Sequence, residues 1–223
     1  MQPTDATPGL CPLCGHRPAA LFFVSRGKRL ERQFMRCPCC DLVFVPKRYH
    51  LSQRDEKERY LQHNNDPENE DYRQFLSRLL DPLRVHLSPG ARGLDYGAGP
   101  GPALKRMLQE EGYEASMYDP FFAPDRSTLE TMYDFVTCTE TAEHFSHPRD
   151  EFDRFQALLK APGWLGVMTG MLDSWDEFPD WHYHRDPTHI CFYSKTTMSW
   201  IARRYSWDVG FPRQNVALFH KLP

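Results

Sequence analysis

The sequence predicts an open, doubly wound α/β fold with a mostly parallel sheet, preceded by a small cysteine-built module. Three observations carry this expectation. Strand-like and helix-like segments alternate from about residue 91 onward. A glycine-rich turn over residues 93–101 joins the first of those strands to the first of those helices. Two C-x2-C pairs lie well before it, in the first 40 residues. The expected division is a module over 8–46, a helical connector over 47–90 and the α/β domain over 91–223.

Composition sets the outer bounds. A chain of 223 residues with 40% apolar and 26% charged residues is that of a soluble globular protein with room for one α/β domain and an appendage. No apolar run approaches the roughly 18–20 residues of a membrane span. The start, MQPTDATPGL, lacks the basic end and apolar middle of a signal peptide, so the expected location is cytoplasmic, with no membrane partner. The net charge of −3 is uneven: residues 1–50 hold eight Lys/Arg against three acids, a local +5 that leaves −8 for the rest. A basic module on an acidic body suits an anionic partner such as RNA, or simply a solvated small domain.

The cysteines give the module its reading. Cys11 and Cys14 form one pair, Cys37 and Cys40 the other, with 22 residues between the pairs. A C-x2-C turn presents two thiolates from one knuckle, and two such turns supply the four soft, tetrahedral ligands that Zn2+ prefers. Four thiolates leave no open position, so the expected role is structural. Pro12 and Pro38 stiffen the knuckles, and the segments around a turn at Ser25–Lys28 and after Cys40 read as three strands, the pattern of a zinc ribbon. Cys39 is the spare thiol, and Cys138 and Cys191 read as packing residues.

The connector is polar, with helical character around Asp55–Gln62, and ends in an amphipathic helix. Tyr72, Phe75, Leu76, Leu79, Leu80 and Leu83 recur at helical spacing and form one apolar stripe. Tyr60, His63, Asn64 and Asn65 precede it as a polar-aromatic cluster, suited to loop capping or to closing over a ligand.

Within the α/β domain the glycine loop carries the chemistry. A strand ending near Asp95 runs into Gly97, Gly99 and Gly101, and a helix begins after Pro102. Glycines belong where a ligand presses on the backbone. The order is not the G-x-G-x-x-G of a dinucleotide site, because Pro102 occupies its third glycine position. The order D-x-G-x-G-x-G instead resembles the first motif of class I S-adenosylmethionine-dependent methyltransferases, whose domain is Rossmann-like. A second strand ends at Asp119, a third covers Tyr133–Glu140, an EH pair (Glu143, His144) follows, and an Ala-Pro-Gly turn precedes the next strand. The set is similar to that family from Gly93 to the C-terminus, and to members carrying an N-terminal zinc ribbon.

The resemblance implies S-adenosylmethionine as cofactor. It places Asp95, Gly97, Gly99 and Gly101 at the methionine end, Asp119 on the ribose hydroxyls, and Thr139 and Glu140 along the far wall. One departure stands out. Only 15 residues separate Asp119 from Asp134, too few for the helix and strand that the family fits there, so the adenine-binding residue is missing or displaced. Phe121 and Phe122 are candidates to stack on adenine or to join the core.

Residues 173–194 are rich in aromatics and histidine. In the family such segments cover the substrate. Trp175, Phe178, Trp181, Tyr183, Phe192 and Tyr193 would form apolar walls. His189 is the expected general base, oriented by Asp186 or Glu143, with His144 as second choice. A second metal on His182, His184, Asp186 and His189 is the less regular alternative. The expected function is methyl transfer from S-adenosylmethionine to a small molecule. RNA gripped by the basic module is one alternative, and a non-catalytic interaction protein the other.

Overall fold

The computed structural model describes residues 9–26, 31–62 and 65–223. Part of the expected turn at Ser25–Lys28, and His63 and Asn64 of the expected cluster, lie outside them. The large sheet has six strands, β4 (Arg92–Tyr96), β5 (Glu114–Tyr118), β6 (Tyr133–Thr139), β7 (Leu159–Met168), β10 (Trp207–Arg213) and β11 (Val216–Lys221). Their spatial order is β10-β11-β7-β6-β4-β5. Strands β5, β4, β6 and β7 run parallel, whereas β11 is antiparallel to β7 and β10 to β11. The α/β expectation, with one antiparallel edge, therefore holds.

Helices cover both faces. On one, α2 (Glu70–Arg84) and α3 (Ala103–Glu110) bury Leu76, Leu79, Leu80, Leu83, Leu104, Met107 and Leu108. The apolar stripe of α2 meets the sheet closely: a Cβ on Gly166 of β7 would stand 2.8 Å from Leu79 Cδ1. On the other face, α4 (Pro148–Leu158) and α5 (Lys195–Tyr205) bury Phe152, Phe155, Met198 and Ile201. Helix α1 (Gln53–Tyr60), N-capped by Ser52, has no buried residue and leads toward α2. Between Asp119 and Tyr133 the chain makes one 3-10 turn, Arg126–Glu130, and adds no strand, so the sheet ends at β5. The short spacing noted in the sequence is thus a missing sheet edge.

The N-terminal hairpin, β1 (Ala20–Arg26) and β2 (Glu31–Arg36), pairs antiparallel and continues through β3 (Val43–Phe44). Strand β3 then pairs with β9 (Cys191–Ser194), and β9 with β8 (Met171–Leu172), making a second sheet of order β1-β2-β3-β9-β8. Hairpin and C-terminal half thus share backbone hydrogen bonds. They also share a core, since Cys11, Leu13, Cys37 and Cys40 belong to the same buried cluster as Phe145 and Phe152.

Candidate active site

The two cysteine knuckles fold alike. Gly15 donates its N–H to the Cys11 carbonyl at 3.0 Å, and Asp41 donates to the Cys37 carbonyl at the same distance. Asp41 adopts a left-handed φ of 65° to do so. The four sulfurs of Cys11, Cys14, Cys37 and Cys40 lie within 4.8 Å of one another, with cross-knuckle Sγ–Sγ distances of 3.5 Å and 3.4 Å. That donor set fits a tetrahedral thiolate site. Cys39 is exposed, whereas Cys138 and Cys191 are buried in the core.

The second knuckle is tied to the body through Asp41. Its carboxylate accepts from Trp175 Nε1 at 2.9 Å and Ser194 Oγ at 2.5 Å, and pairs with Arg36 at 2.7 Å. Arg149 of α4 holds the first knuckle by donating to the Leu13 carbonyl at 2.8 Å.

A cavity of about 650 Å³ opens along the carboxyl edge of the parallel strands, where ligands of such sheets bind. Asp95, Gly97, Gly99, Gly101, Asp119, Thr139, Glu140, His144 and His189 all line it, so nine separated positions of the sequence converge there. Gly97 has φ 75°, and a Cβ there would stand 2.2 Å from the Thr141 side chain. At Gly101 a Cβ would stand 2.1 Å from the Asn65 carbonyl. Both positions therefore exclude side chains.

Asp119 is nearly saturated by main chain. Its Oδ2 accepts from Gly99 N–H at 2.9 Å, and Oδ1 accepts from Phe121 and Phe122 N–H at 2.8 and 3.0 Å. Asp95 is buried, and burial raises its pKa to about 7 against a hydrogen bond from Thr137 Oγ1 at 3.0 Å, with the Asp119 charge adding to the rise. Glu140 has φ 47° and is pushed up to about 9 by burial and by the charge of Glu143. The Thr139 hydroxyl is buried with no hydrogen-bond partner among the described residues. An orphaned hydroxyl on a cavity wall suits a polar ligand.

Glu143 is fully buried, accepting from Thr169 Oγ1 at 2.8 Å and from the Tyr183 hydroxyl. His189 donates Nδ1–H to the Tyr183 carbonyl at 2.8 Å, and His144 donates Nδ1–H to the Thr188 carbonyl at 3.0 Å. A carbonyl can only accept, so in its neutral form each ring presents Nε2 as an acceptor. The rings are 4.9 Å apart, and burial lowers the pKa of His189.

Several expectations are corrected here. The Asp186 carboxylate makes no hydrogen bond to the His189 ring among the described residues and does not line the cavity, although the Asp186 carbonyl accepts the His189 N–H at 3.2 Å. Its carboxylate pairs with Arg59 at 2.8 Å and accepts from Thr188 N–H and Oγ1. Burial alone would raise the Asp186 pKa, but those hydrogen bonds bring it well below the usual range. The metal set His182, His184, Asp186 and His189 does not converge, because His184 is packed among Phe23, Phe34 and Phe178. Trp175, Phe178, Trp181 and Phe192 likewise pack on the hairpin's Phe22, Phe23 and Phe34, rather than walling the cavity. Phe121 lines the cavity, whereas Phe122 does not.

Arg32 of β2 is the residue that sequence reasoning missed. It is 3% exposed, and its guanidinium donates to the carbonyls of His184, Asp186 (3.0 Å), Pro187 (3.2 Å) and His189 (3.2 Å). Burial lowers its pKa to about 10. One cation from the hairpin thus fixes the loop that carries His189. The only signal was an arginine at an inward position of a strand, which alternation alone would have assigned to an apolar side chain.

Comparisons with known proteins agree with this geometry. The family model described as "Methyltransferase domain" matches residues 61–209. No protein of curated function matches the sequence. A methyltransferase from Archaeoglobus fulgidus, titled as S-adenosylmethionine-dependent, is similar in fold with a TM-score of 0.50 at 19% identity, over 62% of this chain and 71% of that one. An O-methyltransferase family protein from Burkholderia thailandensis has a TM-score of 0.50 at 14% identity, over 68% and 57% of the two chains. No helix is long and apolar enough to cross a membrane. The family match covers well over half of the chain, and with the doubly wound sheet and its side-chain-free loop it places the protein among the class I S-adenosylmethionine-dependent methyltransferases.

Proposed function

We propose that this enzyme methylates a small molecule seated beside Glu143, His144 and His189. The observation carrying this reading is the single cavity that joins those three residues to the glycine loop and Asp119. When bound, S-adenosylmethionine supplies a methyl group already activated on a sulfonium sulfur. The chain's own residues then need only hold, align and desolvate the partners. Gly97, Gly99 and Gly101 would admit the methionine end against the backbone, and the buried Asp95 carboxylate would take its ammonium group. Asp119 keeps one lone pair on Oδ2 for a ribose hydroxyl after its three main-chain bonds. The orphaned Thr139 hydroxyl and Glu140 complete that wall. Phe121, within the cavity, offers its ring to adenine in place of the absent sheet edge.

A small acceptor is favoured over RNA because the basic module is partly spent internally. Arg32 is buried on four carbonyls, and Arg36 pairs with Asp41. Neither is free to neutralise phosphates. The four clustered cysteines would hold a structural zinc, which would brace the hairpin carrying Arg32. Incubating the protein with methyl-labelled donor and fractionated cell extract tests the reading. Label should enter the low-molecular-mass fraction; label confined to RNA or protein would overturn it.

A further inference from the structure

Beyond the cysteine cluster, one other group of side chains converges at metal-ligating distance among the described residues. The Glu143 carboxylate and ring nitrogens of His144 and His189 lie within 4.8 Å of one another, and all three line the cavity. We infer that Glu143, His144 and His189 bind a divalent cation that takes the oxygen of a hydroxylated acceptor as a further ligand. This inference rests on the methyltransferase reading and narrows its substrate to a hydroxyl compound.

Two imidazoles and one carboxylate on one side, with open positions opposite, form a common donor set for first-row divalent metals. Bonds of about 2.0–2.2 Å would bring the three ligand atoms to roughly 3.0–3.5 Å from one another. Each ring already has its second nitrogen fixed on a main-chain carbonyl, Tyr183 for His189 and Thr188 for His144. That outer contact sets the tautomer and aims Nε2 at a metal. Glu143 is likewise held by Thr169 and Tyr183.

Charge points the same way. Glu140 and Glu143 share the Tyr183 hydroxyl as a neighbour, and among the described residues neither makes an ion pair. Glu143 is a buried carboxylate with no such partner, and a bound dication would offset its charge.

The chemistry balances simply. A hydroxyl oxygen coordinated to the cation releases its proton to solvent, because the cation lowers the pKa of its ligand. The oxygen lone pair forms the new O–CH3 bond as the S–CH3 bond breaks, its electron pair staying on sulfur as the neutral thioether. No oxidant or reductant takes part.

The test is calorimetric titration of the full chain with Mn2+ and, separately, Co2+, each with and without S-adenosylmethionine. Mn2+ prefers oxygen and nitrogen donors, so the four-thiolate site does not compete for it. One equivalent should bind, more than tenfold more weakly in His189→Ala and in His144→Asn, while both variants keep donor affinity. His144 is only part-buried, so its variant guards against a folding defect. Failure of Mn2+ to bind at millimolar concentration, or Mn2+ binding that survives both substitutions, would overturn the site. Metal binding seen only once the donor is present would support it, with the donor ordering the cavity. If the donor itself does not bind, the methyltransferase reading fails; donor binding without metal binding removes this inference alone.

Discussion

The two walls of the cavity are built in opposite ways. The wall of Asp95, Gly97, Gly99, Gly101 and Asp119 comes from the ends of two adjacent parallel strands within 25 residues of sequence. Its geometry is largely local: a backbone turn of positive-φ glycines and a carboxylate on three N–H groups. The wall of Glu143, His144 and His189 is assembled across the whole chain. Its loop is fixed by Arg32, more than 150 residues earlier. On the proposed roles, donor binding would be a property of a motif, whereas acceptor binding would be a property of the complete fold, N-terminal hairpin included.

The largest effect should come from stripping metal from the cysteine cluster. Strands β3 and β9 are paired and the knuckles share the main core, so a strong chelator should lower the melting temperature of the entire chain in one transition. A melt in which the N-terminal part unfolds alone, leaving the rest unchanged, would break the claim that the acceptor wall depends on the hairpin. Next comes Arg32→Met. Four carbonyls lose their donor in a buried place, and at about 1 kcal/mol each the loss should be roughly 3–4 kcal/mol by denaturant unfolding. Because the donor wall does not touch Arg32, affinity for S-adenosylmethionine at permissive temperature should hold within about threefold.

A smaller effect should arise on the donor wall itself. Asp95 has its folded pKa raised to about 7, so the folded chain holds a proton there that the unfolded chain releases near pH 4. The sign follows: stability from this group is present below pH 4 and is lost as pH rises to 7. Asp95→Asn should therefore stabilise the cofactor-free protein at pH 8, with the advantage vanishing near pH 4. It should also weaken donor binding, a trade of function for stability confined to one wall. Thermal melts at the two pH values check the first part and calorimetry the second.

Legibility followed the same division. The strands, the helices on both faces and the antiparallel closing pair were readable because period and turn signals are local. That the glycine-loop residues and Asp119 meet at one cavity was readable because they sit in one motif and its next strand end. The cysteine cluster was readable from spacing. The other wall was only half readable: His189 and His144, picked by residue type, line the cavity, whereas Asp186 does not, because sequence proximity says nothing of where a carboxylate points. Arg32 counted merely as charge, since its carbonyl partners lie in a loop with no periodicity. Strands β3, β8 and β9 have two, two and four residues, too short for alternation to reveal that they join hairpin and body. The aromatic run 175–193 looked like substrate walls because burial against a hairpin and burial around a ligand draw on the same residues.

The division between the walls is tested most directly by calorimetric titration of S-adenosylmethionine into three proteins side by side: wild type, Asp119→Ala and His189→Ala. One equivalent should bind to wild type and to His189→Ala with similar affinity, and on the order of a hundredfold more weakly to Asp119→Ala, the loss expected for a buried charged hydrogen-bond acceptor. Unchanged affinity in Asp119→Ala, or no binding to the wild type, would contradict the assignment of the glycine loop and Asp119 to the methyl donor.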